Sequence, residues 1–361
     1  MKFPPRAHYS KSEIDRAGVA ARSAKPGSRE YNAAVVKINE WRVSHHYPMH
    51  TFNMTLRKKA YDIDRDAIVV RRLKRLQTIL DKVGARELNM NLSRMQDIGG
   101  VRAIMKTTKQ VDTLTRQYTD PKRFAHKLKV VKNYIEQPKG SGYRGVHLVF
   151  EFNNTQGRSE HARDYDGLNV EVQIRTQLQH RWATAVEAIG VIRHEELKSS
   201  QGDEKWLNFF ALMSSVIALL EETPVLEAHR KMSDGEIVDE AYRYIKMLDV
   251  ESIMPGWAVG MNVATNVDTV RRIGQHYVII SLDIKNRRTR IYRFTENELE
   301  VANKKLAELE GEAALSNNPD PVLVSVGDIK NLQRAYPNYF LDIRQFLDLV
   351  SYVVRTVEEA V

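Results

Sequence analysis

The 361-residue chain has no cysteine at all. That excludes disulfides and cysteine-ligated zinc, and makes a reducing compartment the natural expectation. It also lacks a long apolar run: the longest, around Phe209 to Leu220, is too short and too interrupted to span a bilayer. Met1 to His8 carries no apolar stretch of the secretory type, so the expectation is a cytoplasmic protein without membrane contact. No Walker A sequence occurs, and neither H-R-D nor D-F-G of the protein kinases. Internal repeats and low-complexity tracts are missing too. What the chain does have is positive charge, with a formal balance of +9. A basic surface favours nucleotides, RNA or anionic surfaces, or is simply solvated; charge alone leaves these open.

Periodicity divides the chain. Ser10-Lys-Ser-Glu13 has the form of a capping box, placing a helix from about residue 11. Tyr31, Val35, Ile38 and Trp41 recur at helical spacing over Tyr31 to His45. Ala67 to Val83 reads as a basic helix on which Lys74, Thr78 and Lys82 line up, flanked by Arg72. The pattern then becomes that of strands: Val101 to Met105, Lys127 to Ile135, Tyr143 to Phe152 and Leu168 to Arg175, with a helix over Val111 to Tyr118 and a polar loop over Asn153 to Asp166. Helical spacing returns over Thr176 to Lys198, Lys205 to Glu222 and Ser233 to Leu248. This predicts an α+β domain, a mixed sheet surrounded by helices. After the break at Pro255-Gly256 come strands over Tyr277 to Ile284 and Thr289 to Phe294, joined as a hairpin. Then come a helix over Glu296 to Gly311 ended by its glycine, a strand over Val322 to Val326 and a terminal helix over Tyr339 to Val357. Residues 1–255 and 256–361 are expected to be separate domains.

Gly140-Ser-Gly-Tyr-Arg-Gly145 matches G-x-G-x-x-G but leads into a strand pattern, not a helix, so it is not a dinucleotide fingerprint. Elsewhere the charges cluster suggestively. Glu171, Gln173 and Arg175 share one face of a strand, while Val172 and Ile174 share the other. Three polar residues on one face of a central strand are costly unless that face lines a cleft. Tyr143, Gly145 and His147 share a face in the same way, and Asp97 precedes Gly99-Gly100 and Arg102. Singly, each has a structural reading: Glu171 and Arg175 as an ion pair, Lys74 and Lys82 as solvated residues, Tyr143 and His147 as core. Together, two carboxylates, several cations, an aromatic and a glycine loop are the parts of phosphoryl or pyrophosphoryl transfer.

These residues fall into four ordered blocks. They are Arg72-Leu-Lys74 with Thr78 and Lys82; Met95-Gln-Asp97-Ile-Gly-Gly-Val-Arg102; Tyr134-Ile-Glu-Gln-Pro-Lys139-Gly-Ser-Gly-Tyr143-Arg-Gly-Val-His147; and Glu171-Val-Gln-Ile-Arg-Thr176 followed by Gln179-His, Trp182 and Glu187. The blocks resemble the RelA/SpoT synthetase motifs over about a third of the chain. The resemblance implies a nucleotidyltransferase-like mixed sheet and a small synthetase without a preceding hydrolase domain. It implies a pyrophosphokinase with Mg²⁺ held by Asp97 and Glu171, Glu171 also serving as base. Arg72, Lys74, Lys82 and Arg102 would hold ATP. Tyr143 would stack on the acceptor base, with Lys139, Arg144 and His147 positioning the acceptor and Gln173 and Arg175 supporting the site. Thr78 stands where the family usually has serine, and Gly140-Ser141 where alarmone-making relatives often have asparagine.

The acceptor has two candidates: GDP or GTP, giving an alarmone, or the 3′-terminal adenosine of tRNA, as in toxic small synthetases. Tyr336-Pro-Asn-Tyr339 resembles the Tyr-x-x-Tyr segment of the fused toxin–antitoxin subfamily called CapRel. That likeness implies a small C-terminal α+β domain, zinc-finger-like but without zinc, whose Tyr336 and Tyr339 mask the ATP site until a phage capsid protein binds. The expectation is then a tRNA-directed enzyme, unmasked by deleting residues beyond about 256. The alternatives are an alarmone synthetase with a C-terminal oligomerisation domain, and an inactive RNA-binding protein.

Overall fold

The computed structural model describes residues 3–83, 90–124, 126–154, 160–193, 195, 197, 202–254, 264–266, 275–283, 288–316, 321–325 and 343–359. In chain order these form α1 (Lys11–Ser23), α2 (Arg29–Val43), α3 (His46–Ile63), β1 (Ile68–Leu73), α4 (Leu76–Asp81), β2 (Gly99–Met105), α5 (Thr108–Thr119), β3 (Lys127–Asn133), β4 (Val146–Glu151), α6 (Glu160–Arg163) and β5 (Asn169–Thr176). The helices α7 (Gln177–Arg193), α8 (Glu204–Leu220) and α9 (Asp234–Met247) follow. The remainder is β6 (Ala264–Asn266), β7 (Gln275–Asp283), β8 (Arg288–Thr295), α10 (Leu299–Ser316), β9 (Val322–Ser325) and α11 (Arg344–Glu358).

Local chemistry sets several of these starts. Ser10 with Glu13, Thr107 with Gln110 and Ser233 with Glu236 each form a reciprocal capping box at the head of α1, α5 and α9. The basic segment 67–83 departs from its helical expectation. Ile68 to Leu73 is a strand, and the α-helix is confined to Leu76–Asp81. Its β-branched Ile68, Val69 and Val70 pair with β2 along one edge, and Arg71 and Arg72 pair with β9 along the other; sheet pairing on both sides overrides a run of good helix formers. Lys74 therefore directly follows a strand rather than sharing a helix face with Lys82. The helix expected over Glu296 to Gly311 begins at Leu299 and runs through its glycine to Ser316.

The nine strands form one mixed sheet in the order β3-β4-β5-β2-β1-β9-β7-β8-β6. β2 and β5 are parallel at its centre, and β1 joins the C-terminal strands through Arg71↔Ser325 and Arg72↔Val324. The strands beyond residue 256 thus continue the same sheet as those before it. Period-two alternation sorts the two faces. Val101, Ala103, Val170, Val172 and Ile174 pack with α1, α2, α3 and α5 residues such as Ile14, Ile38, Phe52 and Leu114. On the opposite face, Ile68, Val70, Ile104, Val278, Ile280 and Val324 pack with Trp182, Phe209, Phe210 and Phe346 of α7, α8 and α11. Tyr277, Ile279 and Leu323 meet Leu299, Leu306 and Leu309 of α10.

Candidate active site

On the α7–α8 face the apolar packing stops short of the sheet's other half, and polar rungs take over. Strand register sets them side by side: Arg72 is opposite Gly100, which is opposite Glu171. In the next rung Val70, Arg102, Gln173, His147 and Lys132 follow one another across five strands. Above these rungs lies a cavity of about 660 Å³ whose wall includes Arg72, Lys74, Lys82, Asp97, Arg102, Lys139, Tyr143, His147, Glu171, Gln173 and Arg175. A smaller pit of about 60 Å³ opens at its floor between Arg72, Lys74, Asp97, Gly100, Arg102 and Glu171. Gly100, with no side chain in the first rung, leaves this pit open.

One wall is a carboxylate set among cations. Lys74 Nζ lies 2.6 Å from Asp97 Oδ2, and Lys82 Nζ lies 3.7 Å from the same oxygen. Burial lowers the Lys74 ammonium pKa, and the Asp97 charge works in the opposite direction. Asp97 Oδ1, by contrast, is buried without a hydrogen-bond partner. A buried carboxylate oxygen left unpaired is costly, and a cation in the adjoining pit would satisfy it.

The other wall is a hydrogen-bonded chain. Arg102 Nε donates to Gln173 Oε1 at 3.2 Å, and Gln173 Nε2 donates to Glu171 Oε2 at 2.7 Å. His147 bridges Glu171 Oε1, 2.7 Å from its Nδ1, and the Tyr143 hydroxyl, 2.7 Å from its Nε2. Burial pushes the Glu171 carboxyl up, but the bonds from His147 and Gln173, with the charges around it, outweigh burial and hold it at about 2. Arg175 lies buried behind this chain against His180, its pKa lowered to about 9 by burial and by Arg102.

Tyr143 reaches the cavity from a constrained loop. Gly142 has φ +93°, and a Cβ there would stand 2.7 Å from Trp182 Cζ2 and 3.0 Å from Ser214 Cβ, so only glycine fits. Ser214 Oγ donates to the Gly142 carbonyl at 2.7 Å and accepts from Arg144 Nε at 3.0 Å. This corrects the expectation for Arg144. It is 2% exposed and lies outside the cavity wall, because its stem turns under the glycine loop to α8.

Tyr134, Arg94 and Glu187 also line the wall. The sequence motifs assign none of the three a role. Tyr134 was within reach of strand alternation, since Val130, Lys132 and Tyr134 are spaced by two and all face the cavity. Lys139 Nζ sits 4.6 Å from the Tyr134 ring centre and 5.5 Å from that of Tyr143, giving the mouth two aromatic faces and a cation. Tyr336 and Tyr339 lie outside the described residues. Among the described residues, none beyond Leu197 lines the cavity, and no helix is long and apolar enough to cross a membrane.

The family model described as Region found in RelA / SpoT proteins matches residues 71–194. GTP pyrophosphokinase YwaC of Bacillus subtilis is 28% identical over 141 residues, covering 37% of this chain and 62% of that protein. GTP pyrophosphokinase YjbM of the same organism is 31% identical over 130 residues, covering 34% and 57%. The chain thus spans less than two thirds of the length of these curated relatives. Among solved structures, the small alarmone synthetase 1 of Bacillus subtilis bound to its product pppGpp shares 23% identity at a TM-score of 0.41, covering 50% of this chain and 90% of that one. A GTP pyrophosphokinase family protein from Streptococcus pneumoniae shares 20% at a TM-score of 0.40, covering 54% and 91%. Residues 71–194, the part of the chain that this family model matches, supply every charged side chain named in the cavity wall.

Proposed function

We propose that the chain is an ATP-dependent pyrophosphokinase. A nucleotide 3′-hydroxyl attacks the β-phosphorus of ATP, the bond from that phosphorus to the α-phosphate oxygen breaks, AMP leaves, and the hydroxyl proton passes to the Glu171–His147 pair. The observation that carries this reading is the joining of two unlike walls in one cavity. Arg72, Lys74 and Lys82 on one side, with Arg102 at the end of the other, match a triphosphate. The Tyr143–His147–Glu171 chain on the other matches a hydroxyl that must lose a proton. Holding both substrates in line beside fixed charges would supply most of the rate.

Asp97 and Glu171 are the residues suited to Mg²⁺. The unpaired Asp97 Oδ1 supports this, and the pit between the two carboxylates has room for an ion. When bound, the ion would neutralise charge developing on the phosphates. Among the described residues no cluster of three or more acidic or histidine ligands is present, so substrate phosphates and water would complete its shell.

The curated relatives are named for GTP, and GDP or GTP is accordingly the first acceptor, with Tyr143 and Tyr134 as base platforms. A second reading takes the tRNA 3′-terminal adenosine instead. It is favoured by the lysines on edge strand β3, where Lys127 and Lys132 are exposed and Lys132 reaches the cavity wall. Masking of the ATP site by Tyr336 and Tyr339, release by a phage capsid protein and the division at about residue 256 belong with this second reading. Full-length protein with γ-³²P-ATP, Mg²⁺ and GDP, GTP or deacylated tRNA decides. Label on a guanine nucleotide supports the first reading and label on tRNA the second; label on none of them, from the wild type and from the Tyr336→Ala, Tyr339→Ala variant alike, overturns the activity. If Tyr336→Ala with Tyr339→Ala leaves the rate unchanged, masking is dismissed.

A further inference from the structure

The segment that delivers Lys74 and Lys82 is held by a side chain far away in sequence. Glu310, on α10, is buried and pairs with the buried Arg42 of α2 through two parallel bonds: Arg42 Nη1 to Glu310 Oε1 at 2.7 Å and Nη2 to Oε2 at 2.9 Å. Both partners also bind backbone. Arg42 Nη1 donates to the Lys74 carbonyl at 3.3 Å, and Glu310 Oε1 accepts from the Leu76 N–H at 3.1 Å. Leu76 is the first residue of α4, whose N-cap Arg75 supplies no side-chain cap. The pair therefore grips the turn from β1 to α4 on both sides of Arg75. A neighbouring contact to α10 comes from α3, where His46 Nε2 lies 3.0 Å from Asn303 Oδ1.

From this we infer that Glu310 is a positioning residue for the donor-nucleotide site. Through the Lys74–Leu76 turn it fixes where the Lys74 and Lys82 ammonium groups stand against Asp97. The inference rests on the ATP-site reading given above. A buried bidentate pair is a poor stability device, since well-packed apolar replacements are often as good. It does fix a geometry, because each ion loses its bond to the backbone of the turn if the turn moves. A small displacement of phosphate-binding groups is enough to cost up to about 100-fold in rate or affinity.

The test uses full-length protein. Glu310→Gln keeps an acceptor oxygen, Glu310→Ala keeps none, and Arg42→Met with Glu310→Leu replaces the pair by apolar groups of similar size. Each is measured for KM of ATP, KM of acceptor, kcat, affinity for a non-hydrolysable ATP analogue and thermal midpoint. The expected result is a rise in KM for ATP and in analogue Kd of about tenfold or more, largest in Glu310→Ala and the double variant and smaller in Glu310→Gln, with the acceptor KM unchanged. If the single variants do not fold, the double variant carries the decision: wild-type analogue affinity in a folded double variant overturns the inference. If the wild type binds no ATP analogue, the ATP-site reading fails instead. Amide exchange in peptides covering 74–83 then tells whether the turn loosens when the pair is removed, and unchanged protection overturns the clamp.

Discussion

His147 stands between two other side chains of the cavity, 2.7 Å from Glu171 Oε1 by its Nδ1 and 2.7 Å from the Tyr143 hydroxyl by its Nε2. With the proton on Nδ1 donated to the carboxylate, Nε2 is left to accept, so the three groups have one consistent proton assignment. Glu171→Gln breaks it by offering an amide where a charge is needed. The expected loss in kcat is roughly 10²–10⁴-fold, with KM for ATP changed only a few-fold. Tyr143→Phe keeps the ring and removes the hydroxyl, so its loss should be smaller. Initial rates with labelled ATP check both, and a Glu171→Gln enzyme with near-normal kcat would dismiss the acid–base assignment.

Asp97 offers one oxygen to Lys74 and leaves the other unpaired. Asp97→Asn should raise the Mg²⁺ concentration for half-maximal rate by about 10–100-fold. Chelation should abolish transfer in the wild type, and added Mg²⁺ should restore it. Identical Mg²⁺ titrations for the two proteins would remove Asp97 from the metal site.

Gly142→Ala places a methyl into Trp182 and Ser214 at a backbone conformation that non-glycine residues rarely adopt. The cost is about 1–3 kcal/mol of stability, read as a lower urea midpoint. A fall in kcat should accompany it, since Tyr143 is the next residue.

Desolvation holds His45, His46 and His126 in neutral form. Burial lowers the pKa of His45 to about 4, of His46 to about 3 and of His126 to about 4, all from an ordinary 6.5. The unfolded chain takes up these protons first, so their contribution to stability is full above pH 6.5. It is lost progressively as pH falls toward 3. Urea midpoints should drop between pH 7 and pH 5, and His46→Gln should lose part of that dependence. A flat profile would mean that these rings are protonated without cost in the fold.

A chain stopped near residue 255 should not behave as a freed enzyme. Val278, Ile280, Val324, Phe346 and Val353 share one core with Trp206, Phe209 and Phe210. Each fully buried side chain is worth about 1.5–3 kcal/mol, so losing these five is comparable to a typical domain's total stability of about 5–15 kcal/mol. Loss of near-ultraviolet dichroism and binding of an apolar dye are expected. A cooperatively folded, active fragment would show that the C-terminal part is dispensable.

The cavity wall was largely legible because register follows from alternation: once Glu171, Gln173 and Arg175 share a face, pairing brings Arg102 and His147 beside them. The strand Ile68 to Leu73 was hidden because five basic residues between 71 and 82 are good helix formers, and its second partner lies some 250 residues away. Arg144 sits among site residues in the chain yet turns beneath the loop. Sequence spacing gives the neighbourhood of a side chain but not its direction when a positive-φ glycine stands on either side of the intervening residues. The Arg42–Glu310 grip had no signal in sequence, since a bidentate pair between two helices follows from packing alone.

The seam between β1 and β9 also sets an order in time. As the chain emerges from the ribosome, β1 can pair with β2 at once, but its other edge must wait for residues 322–325. At usual synthesis rates that wait is on the order of ten to fifty seconds, during which Arg71 and Arg72 border an open strand edge. Two adjacent arginines on an unpaired edge are the kind of charge that discourages pairing with another chain. A ribosome that stalls or terminates before the last strand leaves the centre of the sheet unclosed. The cavity over β1 and β2 is thereby tied to the synthesis of residues 322–325.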